Sequence, residues 1–342
     1  MLSLAQATKE TRLLIKFSAI FLGIIVLLLL LFRFGNYLLL QISPPVPSAP
    51  EERFGKLPSL NFPNQEEYNI DFVINTVSGY LPVFPDRINI YKIKKGDAGL
   101  FNLQSARNSL TNIGFDQQET KISDTVYRWG DKSKNLTRQI EYDIISRNFN
   151  IYSDYLDNKS LLANQGLLQS QGITDIPVNF LKTIGSDLND LDLSKTKLSY
   201  FKLDSKDFIE VGDKSLAQIV KIGLVQAPIN NVDIYYSDFT GSDMNFIIGE
   251  RERRLEILES NFTHLTPDTN KFSEYAIKTS QQAFKDLEEG EGYVYNPKGK
   301  TKVDIKDVYI GYFLGNDENQ EYLYPIAVFS GNDFLAYISL LP

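Results

Sequence analysis

The 342-residue sequence predicts an α+β fold with one N-terminal transmembrane helix, a proline-rich stalk and an ectodomain of two or three repeated helix-plus-meander units. Three observations predict it: a long apolar run near the N-terminus, a cluster of prolines after that run, and helical patterns that end in glycine before alternating strands. The predicted boundaries are 1–16 for a cytoplasmic tail, 17–33 for the transmembrane helix, 34–64 for the stalk, 65–172 for the first α+β unit, and 173–342 for the second unit or units, which end in a β-hairpin.

The apolar run extends from Phe17 to Phe32, contains Ser18 as its single polar residue, and is bracketed by Lys16 and Arg33. With the apolar residues just before Lys16 it reaches the length of about 20 residues that a helix needs to cross a bilayer. A cleaved signal peptide is the alternative, but no small-x-small cleavage site follows the run closely. Phe17 and Phe32 therefore mark the ends of a predicted uncleaved membrane anchor.

The charges around the run predict its orientation. Lys9, Arg12 and Lys16 precede the run, whereas Arg33 is the only basic residue that follows it closely. The positive-inside rule then places the N-terminus in the cytoplasm and the rest of the chain outside. The predicted localisation is the cell membrane, crossed once, with a C-terminal ectodomain.

Composition excludes several classes of function. The chain has no cysteine and one histidine, which excludes disulfides, thiolate catalysis and zinc sites with several histidines. Its 35 basic and 43 acidic residues give a formal net charge of −8, which disfavours binding to nucleic acid. We find no glycine-rich phosphate loop or dinucleotide fingerprint, and we expect no cofactor, no metal site and no catalytic residue.

The segment after the anchor is rich in proline. Six of the fourteen prolines lie between Pro44 and Pro63. Proline fixes φ and favours extended backbone, so this segment predicts a semi-rigid stalk outside the folded core.

Helical periodicity appears three times after the stalk, each time followed by a glycine at the position where a left-handed residue ends a helix. The first two endings share leucine, isoleucine, glycine and aspartate at the same spacing, which favours an internal repeat. The predicted helices and their glycines are Leu103–Ile113 with Gly114, Pro177–Ile184 with Gly185, and Ser273–Glu289 with Gly290.

Between and after these helices the pattern alternates as in antiparallel strands. In the last unit Val308, Tyr312 and Leu314 fall on one side and Tyr309 and Phe313 on the other, as expected for a sheet covered by a helix on one face. The predicted strands of the meanders and of the terminal hairpin are Thr125–Trp129, Leu136–Ile145, Phe149–Tyr155, Val308–Leu314, Tyr322–Phe329 and Phe334–Leu341.

The last unit carries a family resemblance. Its helix Ser280–Gly290 and the strand segments Val308–Tyr312 and Tyr324–Phe329 resemble those of PepSY-like extracytoplasmic domains. The order of elements behind one membrane helix is similar to the YycH and YycI group, membrane-anchored regulators of a cell-wall sensor kinase in Gram-positive bacteria. The resemblance covers about Asp71 to Leu341 and implies a role in binding proteins or peptides, with no catalytic residue.

Residues that could carry chemistry also have simpler interpretations. Lone histidines such as His264, in Phe262–Pro267, are more often structural than catalytic. Two groups of acids lack the pattern of an EF-hand and suit solvated turns, and the pair Asp233 and Asp238 suits strand ends in water. The two groups are Asp187, Asp190 and Asp192, and Asp317, Glu318 and Glu321.

We therefore expect a non-enzymatic, membrane-anchored protein that binds another envelope protein or peptide as a regulator or scaffold. The alternative is a carboxylate-dependent hydrolase of cell-wall polymer, since two facing carboxylates among so many acids cannot be recognised from sequence. Tyrosines concentrate in the last meander, where an exposed row would form a partner surface. These tyrosines are Tyr309, Tyr312, Tyr322, Tyr324 and Tyr337.

Overall fold

The computed structural model divides the chain into two compact units, 1–49 and 50–342. It describes residues 16–18, 20–35, 49–63, 68–96, 98–100, 102–131, 136–157, 162, 168, 172–204, 207–239 and 241–342.

The described part of the first unit is helix α1, Lys16–Gly35. It spans 20 residues, and no part of its apolar surface is buried. The helix is long and apolar enough to cross a membrane, as the sequence predicts. A signal sequence meets the same criteria, so the uncleaved anchor and its orientation remain predictions.

The second unit is α+β, as predicted, with two sheets among its described residues. The eight-stranded first sheet has the central order β1-β15-β16-β17-β14, with β10 beside β15, and with β2 joining β13 to β16. Its strands are β1 (Asp71–Ile74), β2 (Arg87–Ile93), β10 (Ile234–Tyr236), β13 (Pro267–Ala276), β14 (Tyr293–Tyr295), β15 (Lys302–Leu314), β16 (Tyr322–Gly331) and β17 (Phe334–Ser339).

The nine-stranded second sheet is antiparallel, in the order β3-β4-β5-β6-β12-β11-β9-β7-β8. Its strands are β3 (Thr120–Lys121), β4 (Val126–Gly130), β5 (Arg138–Asp143), β6 (Phe149–Ser153), β7 (Lys197–Asp204), β8 (Asp207–Glu210), β9 (Ile219–Gly223), β11 (Met244–Arg251) and β12 (Arg254–Phe262).

Among the described residues of the second unit, three α-helices cover these sheets. Helices α2 (Asn102–Asn112) and α3 (Asp175–Thr183) contribute Leu110 and Leu181 to the largest core cluster, which also holds Phe149 and Phe246 of the second sheet. Helix α4 (Ser280–Glu288) buries Ala283 and Leu287 in a separate cluster with strands of the first sheet. Each helix therefore packs its apolar stripe on a sheet face, as its periodicity predicts.

The pairing of β6 with β12 joins strands on both sides of residue 172, the predicted boundary between α+β units. The largest cluster likewise combines residues from both sides, such as Trp129 and Val220. The meander after α2 and the strands after α3 thus build one continuous sheet.

The helix endings agree with the glycine pattern. Gly114, Gly185 and Gly290 have φ values of 101°, 74° and 88°, the left-handed region that favours glycine. This common ending is a local feature, and duplication of whole units remains a prediction. The terminal hairpin also forms, since β16 and β17 pair antiparallel up to Gly331 and Phe334.

The third helix begins later than predicted. Residues from Ser273 to Ala276 belong to β13, and α4 begins at Ser280. The physical reason is a capping box: the Thr279 side chain accepts a hydrogen bond from the Gln282 N–H, and the Gln282 side chain accepts one from the Thr279 N–H. The prediction that the helix begins at Ser273 is therefore wrong.

The structure also differs from the stalk prediction between residues 51 and 63, a segment that we call the strap. The Glu52 N–H donates to the Glu274 carbonyl at 3.1 Å, and the Phe54 N–H donates to the Tyr275 hydroxyl at 3.0 Å. The Phe62 ring stacks on Tyr293 with centroids 5.7 Å apart. Apolar side chains spaced along the strap thus bind it to the first sheet. Residues 36–48 and 64 of the predicted stalk lie outside the described residues.

Candidate functional site

A polar cleft of about 850 Å³ lies along the described residues of the second unit. The segments that line it are distant in sequence and include the end of β2, the β5–β6 turn, the end of α3, the β12–β13 loop and the β15–β16 loop. Its size lies within the range of about 300 to 1,000 Å³ that is typical of ligand sites.

Asp143 at the end of β5 shapes the β5–β6 turn. One of its carboxylate oxygens accepts hydrogen bonds from the N–H groups of Ile145 and Ser146 at 2.7 and 2.8 Å. The other accepts a hydrogen bond of 2.6 Å from the Thr125 hydroxyl. Both oxygens are therefore occupied in holding the turn, which presents Arg147 at the cleft.

Arg147 adopts left-handed backbone geometry with φ at 64°, uncommon for a residue with a side chain. Its Nη1 atom lies 3.2 Å from the position that a Cβ atom on Gly185 would occupy. The guanidinium group therefore rests against the end of α3, beside Ser186. The Ser186 N–H donates to the Leu181 carbonyl at 3.0 Å, which closes the helix and fixes Ser186 at the cleft.

Asn148 is 3% exposed and lines the same wall. Its Oδ1 atom accepts a 2.9 Å hydrogen bond from the His264 N–H, so the orientation of the amide is fixed. Asn148 Nδ2 and Ser186 Oγ are both buried and have no hydrogen-bond partner of normal geometry among the residues that the structure describes, although Glu318 lies close enough to the Asn148 amide for that amide to lower the pKa of its carboxyl. Since such groups cost about 1 to 3 kcal/mol when unpaired, two in one cleft favour a site that receives a ligand.

His264 forms a second polar group at the floor of the cleft. Its Nε2 atom lies 3.0 Å from both carboxylate oxygens of Asp190, and Gln226 donates to Asp190 at 2.8 Å. Burial raises the pKa of the Asp190 carboxyl, but the bonds from His264 and Gln226 outweigh burial and hold this pKa below its ordinary value. The network joins the β12–β13 loop to the segment after α3.

The β15–β16 loop also lines the cleft and carries Glu318. Gln320 holds this loop, since its side chain accepts from the Gly315 N–H at 2.8 Å and donates to the carbonyls of Phe313 and Tyr322. Partial burial raises the pKa of the Glu318 carboxyl, the nearby Asn148 amide lowers it in part, and the negative charge of Asp143 raises it further. An acid with a raised pKa therefore faces the buried amide.

The predicted tyrosine surface does not form as an exposed row. Tyr309 is 37% exposed, whereas the other four tyrosines are buried. Phe54 of the strap contacts the Tyr322 ring at a centroid distance of 5.5 Å, and Tyr337 packs among Tyr293 and Phe313. The buried four are Tyr312, Tyr322, Tyr324 and Tyr337.

The acids discussed from sequence take different places. Asp233 and Asp238 pair with Lys195 and Lys221 at 3.1 and 2.8 Å, at a smaller pocket of about 210 Å³. Asp187, Glu318 and Glu321 line the cleft, and Asp190 lies beneath it. Within the described part of the chain no three acids or histidines are grouped as metal ligands.

Sequence reasoning missed the central wall of the cleft. Ser146, Arg147 and Asn148 read as an ordinary polar turn between two strands, and Ser186 reads as the residue after a helix-ending glycine. Burial of Asn148 depends on His264, which is 116 residues away, and no local signal indicates it.

No family model matches the chain, and none of the curated proteins matches it. Two solved structures are similar to it. One is an uncharacterised protein from Eubacterium rectale, with 10% identity, a TM-score of 0.33, and coverage of 73% of this chain and 82% of the other. The second is the YpeB C-terminal domain from Bacillus megaterium, with 14% identity, a TM-score of 0.34, and coverage of 72% and 95%. The resemblance to the YycH and YycI group stays a prediction.

Proposed function

We propose that this protein is a non-enzymatic, single-pass membrane protein whose extracytoplasmic unit binds a peptide or a segment of another envelope protein in the polar cleft. The N-terminus is cytoplasmic in this proposal, and α1 anchors the chain. Binding would regulate or scaffold the partner at the membrane surface.

The observation that carries the proposal is the pair of buried, unpartnered polar atoms, Asn148 Nδ2 and Ser186 Oγ, in one cleft. A peptide backbone offers carbonyl oxygens at regular spacing and can satisfy such donors. The surrounding charges, which include Lys94, Arg147 and Asp187, suit polar side chains of a partner. The apolar helix α1 is long enough to cross a membrane, which supports attachment of the chain to one.

Site-specific photo-crosslinking in intact cells tests the proposal. A photoreactive residue replaces Asp187 at the rim of the cleft, and the matched control replaces Glu210, an exposed acid on β8 at the edge of the second sheet. We expect a defined adduct from position 187, lost when Asn148 is changed to Asp, and none from position 210. Equal adducts at both positions, or none at either, would contradict binding in the cleft.

A second candidate is a carboxylate-dependent hydrolase of cell-wall polymer. The observation that favours it is that Asp143 and Glu318 line one cleft, with the pKa of Glu318 raised as for a general acid. Against it, both Asp143 oxygens already accept hydrogen bonds, one from the turn and the other from the Thr125 hydroxyl.

Release of soluble fragments from purified cell wall by the full chain separates the two candidates. A hydrolase would lose this activity in Glu318→Gln, because the amide cannot donate a proton as a general acid. For the binding protein we expect no release above that of heat-denatured chain, by either the wild type or the variant.

A further inference from the structure

The wall formed by Arg147, Asn148 and Ser186 presents hydrogen-bond donors. Arg147 and the Asn148 amide nitrogen can only donate, and the Ser186 hydroxyl can donate as well. The amide nitrogen cannot exchange places with its oxygen, because Oδ1 already accepts from the His264 N–H at 2.9 Å. Donors that line one cleft together with a guanidinium group match the oxygens of an anion.

The three groups are held in place by the fold. Arg147 lies against the Gly185 backbone, where its Nη1 atom is 3.2 Å from the Cβ position. Asp143 fixes the turn before it through the bonds to the Ile145 and Ser146 N–H groups. Ser186 follows the left-handed Gly185, whose φ of 74° sets its position. A preorganised set of donors loses little entropy when it binds.

The position of Glu318 indicates that a carboxylate is an anion that these donors can bind. Its carboxyl belongs to an exposed residue on the β15–β16 loop and faces the Asn148 amide without forming a hydrogen bond of normal geometry. The loop thus brings a carboxylate of the chain itself to the edge of the donors. An exposed side chain can turn away when a second carboxylate arrives.

We infer that Arg147, Asn148 and Ser186 form a carboxylate subsite of the cleft, and that Glu318 competes with the ligand carboxylate for it. The inference rests on the proposed binding function and names the chemistry of the partner. The carboxylate is either the free C-terminus of a peptide or an aspartate or glutamate side chain within one.

Calorimetric titration of the full chain in detergent micelles tests the subsite with three probes. These are N-acetyl-tetraalanine with a free C-terminus, the same peptide as its C-terminal amide, and an N-acetylated, C-terminally amidated tetrapeptide of three alanines and one glutamate. We expect the amide without glutamate to bind roughly tenfold more weakly than a probe with a carboxylate, since a charge-assisted hydrogen bond is lost. Binding of the free acid alone would identify a C-terminus, and binding of the glutamate peptide alone would identify a side chain.

Variants separate the subsite from general effects. Asn148→Asp keeps the acceptor for the His264 N–H and replaces the donor by a negative charge, so we expect roughly tenfold or greater loss of affinity. Ser186→Ala and Arg147→Asn should weaken binding, and asparagine tolerates the left-handed backbone at position 147. Glu318→Gln should strengthen it roughly threefold to tenfold, because a competing charge is removed. As a control, Gln281→Glu makes the same amide-to-acid change as Asn148→Asp at an exposed position on α4, and it should leave the affinity unchanged.

Equal binding of the free acid and the simple amide would overturn the inference, as would unchanged affinity in Asn148→Asp. If no probe binds while the adduct at position 187 persists in cells, the carboxylate subsite is refuted and the proposed binding function stands. Loss of both would refute the two together.

Discussion

Asp243 is the acid whose burial has the clearest thermodynamic consequence. It is 5% exposed, and burial raises the pKa of its carboxyl to about 6 from a usual value of 3.8, although the Ser237 N–H donates to it at 3.2 Å. Because the folded state binds the proton more tightly than the unfolded state, the stability linked to this group is full below about pH 4. That stability is lost as pH rises through about 6.

Asp243→Asn removes this titration and keeps an oxygen that can accept from Ser237. We expect the variant to be more stable than the wild type by roughly 2 to 3 kcal/mol at pH 7, with the difference vanishing toward pH 4. Denaturant unfolding across this range measures it.

The matched control is Asp333→Asn, where the Lys298 side chain lowers the pKa of the carboxyl. Its stability difference should have the opposite pH dependence, because stability linked to a lowered pKa is lost as pH falls. A constant difference for Asp243→Asn would contradict the assigned burial.

Single residues also show where sequence analysis reaches its limit. His264, for which the sequence favours a structural role, pairs with Asp190 and fixes Asn148 through its backbone N–H at the cleft. The tyrosines of the last meander are of a residue type that is common in interfaces. However, residues of the strap cover some of these rings, as Phe54 covers Tyr322. Whether an amphipathic ring is exposed depends on distant chain that periodicity does not reveal.

At the scale of elements, the three helix-ending glycines allow a matched series. All have left-handed φ, so alanine at each should lower the free energy of unfolding by about 1 kcal/mol. A Cβ atom on Gly290 would meet nothing within 4 Å, and one on Gly114 would meet the Arg138 side chain at 3.8 Å. On Gly185 it would lie 3.2 Å from Arg147 Nη1.

We therefore expect Gly114→Ala, Gly185→Ala and Gly290→Ala to lower stability by similar amounts, whereas Gly185→Ala alone also weakens carboxylate binding in the cleft. Thermal unfolding and the peptide titration measure the two effects. A severe loss of stability in one variant beside a harmless change in another would contradict equivalent helix endings.

The strap offers a second prediction at this scale. Phe54 packs between Tyr275 and Tyr322, and Lys92 Nζ lies 5.0 Å from the centre of its ring. Phe54→Ala should reduce the local free energy of strap release by roughly 1 to 2 kcal/mol, which accelerates proteolytic cleavage between residues 51 and 63 roughly fivefold to thirtyfold.

Limited proteolysis of the full chain measures the rate. Phe208→Ala removes a 43% exposed ring from β8, outside the strap, and should leave cleavage there unchanged. Equal rates in Phe54→Ala and the wild type would mean that the ring does not hold the strap.

The boundaries of an element can be predicted from sequence where a local signal, such as a helix-ending glycine or a capping box, marks them. Gly114 and Gly185 predict the ends of α2 and α3 to within two residues. The start of α4 also has a local signature, Thr279 followed by Gln282, which a search for capping boxes would find. The strap has no such local signal. Its apolar residues are interrupted by prolines, so their spacing does not indicate that the segment packs on the first sheet.

At the scale of the whole molecule, the α+β class and the apolar N-terminal helix follow from composition and periodicity. The union of the two predicted units in one nine-stranded sheet does not. The pairing of Phe149 with Phe262 connects residues 113 positions apart. Such contacts are set by tertiary packing, which local patterns do not encode. The cleft depends on segments distant in sequence that this packing brings together, so neither its place nor its chemistry was predicted.

Membrane topology is the prediction that belongs to the whole chain. The sequence has no cysteine, so a single introduced cysteine reports its own exposure. Glu288→Cys on exposed α4 should react with a membrane-impermeant maleimide in intact cells, whereas Ala5→Cys should react only after permeabilisation.

The same two variants distinguish an anchor from a cleaved signal sequence. With an uncleaved anchor, each variant carries its label on a full-length chain that stays in the membrane fraction after an alkaline carbonate wash. Cleavage after α1 would leave the Glu288→Cys label on a shorter chain in the soluble fraction and remove the Ala5→Cys label from it. Reaction of Ala5→Cys in intact cells, with Glu288→Cys protected, would reverse the orientation, because the charge bias before α1 would then have failed to retain the N-terminus inside.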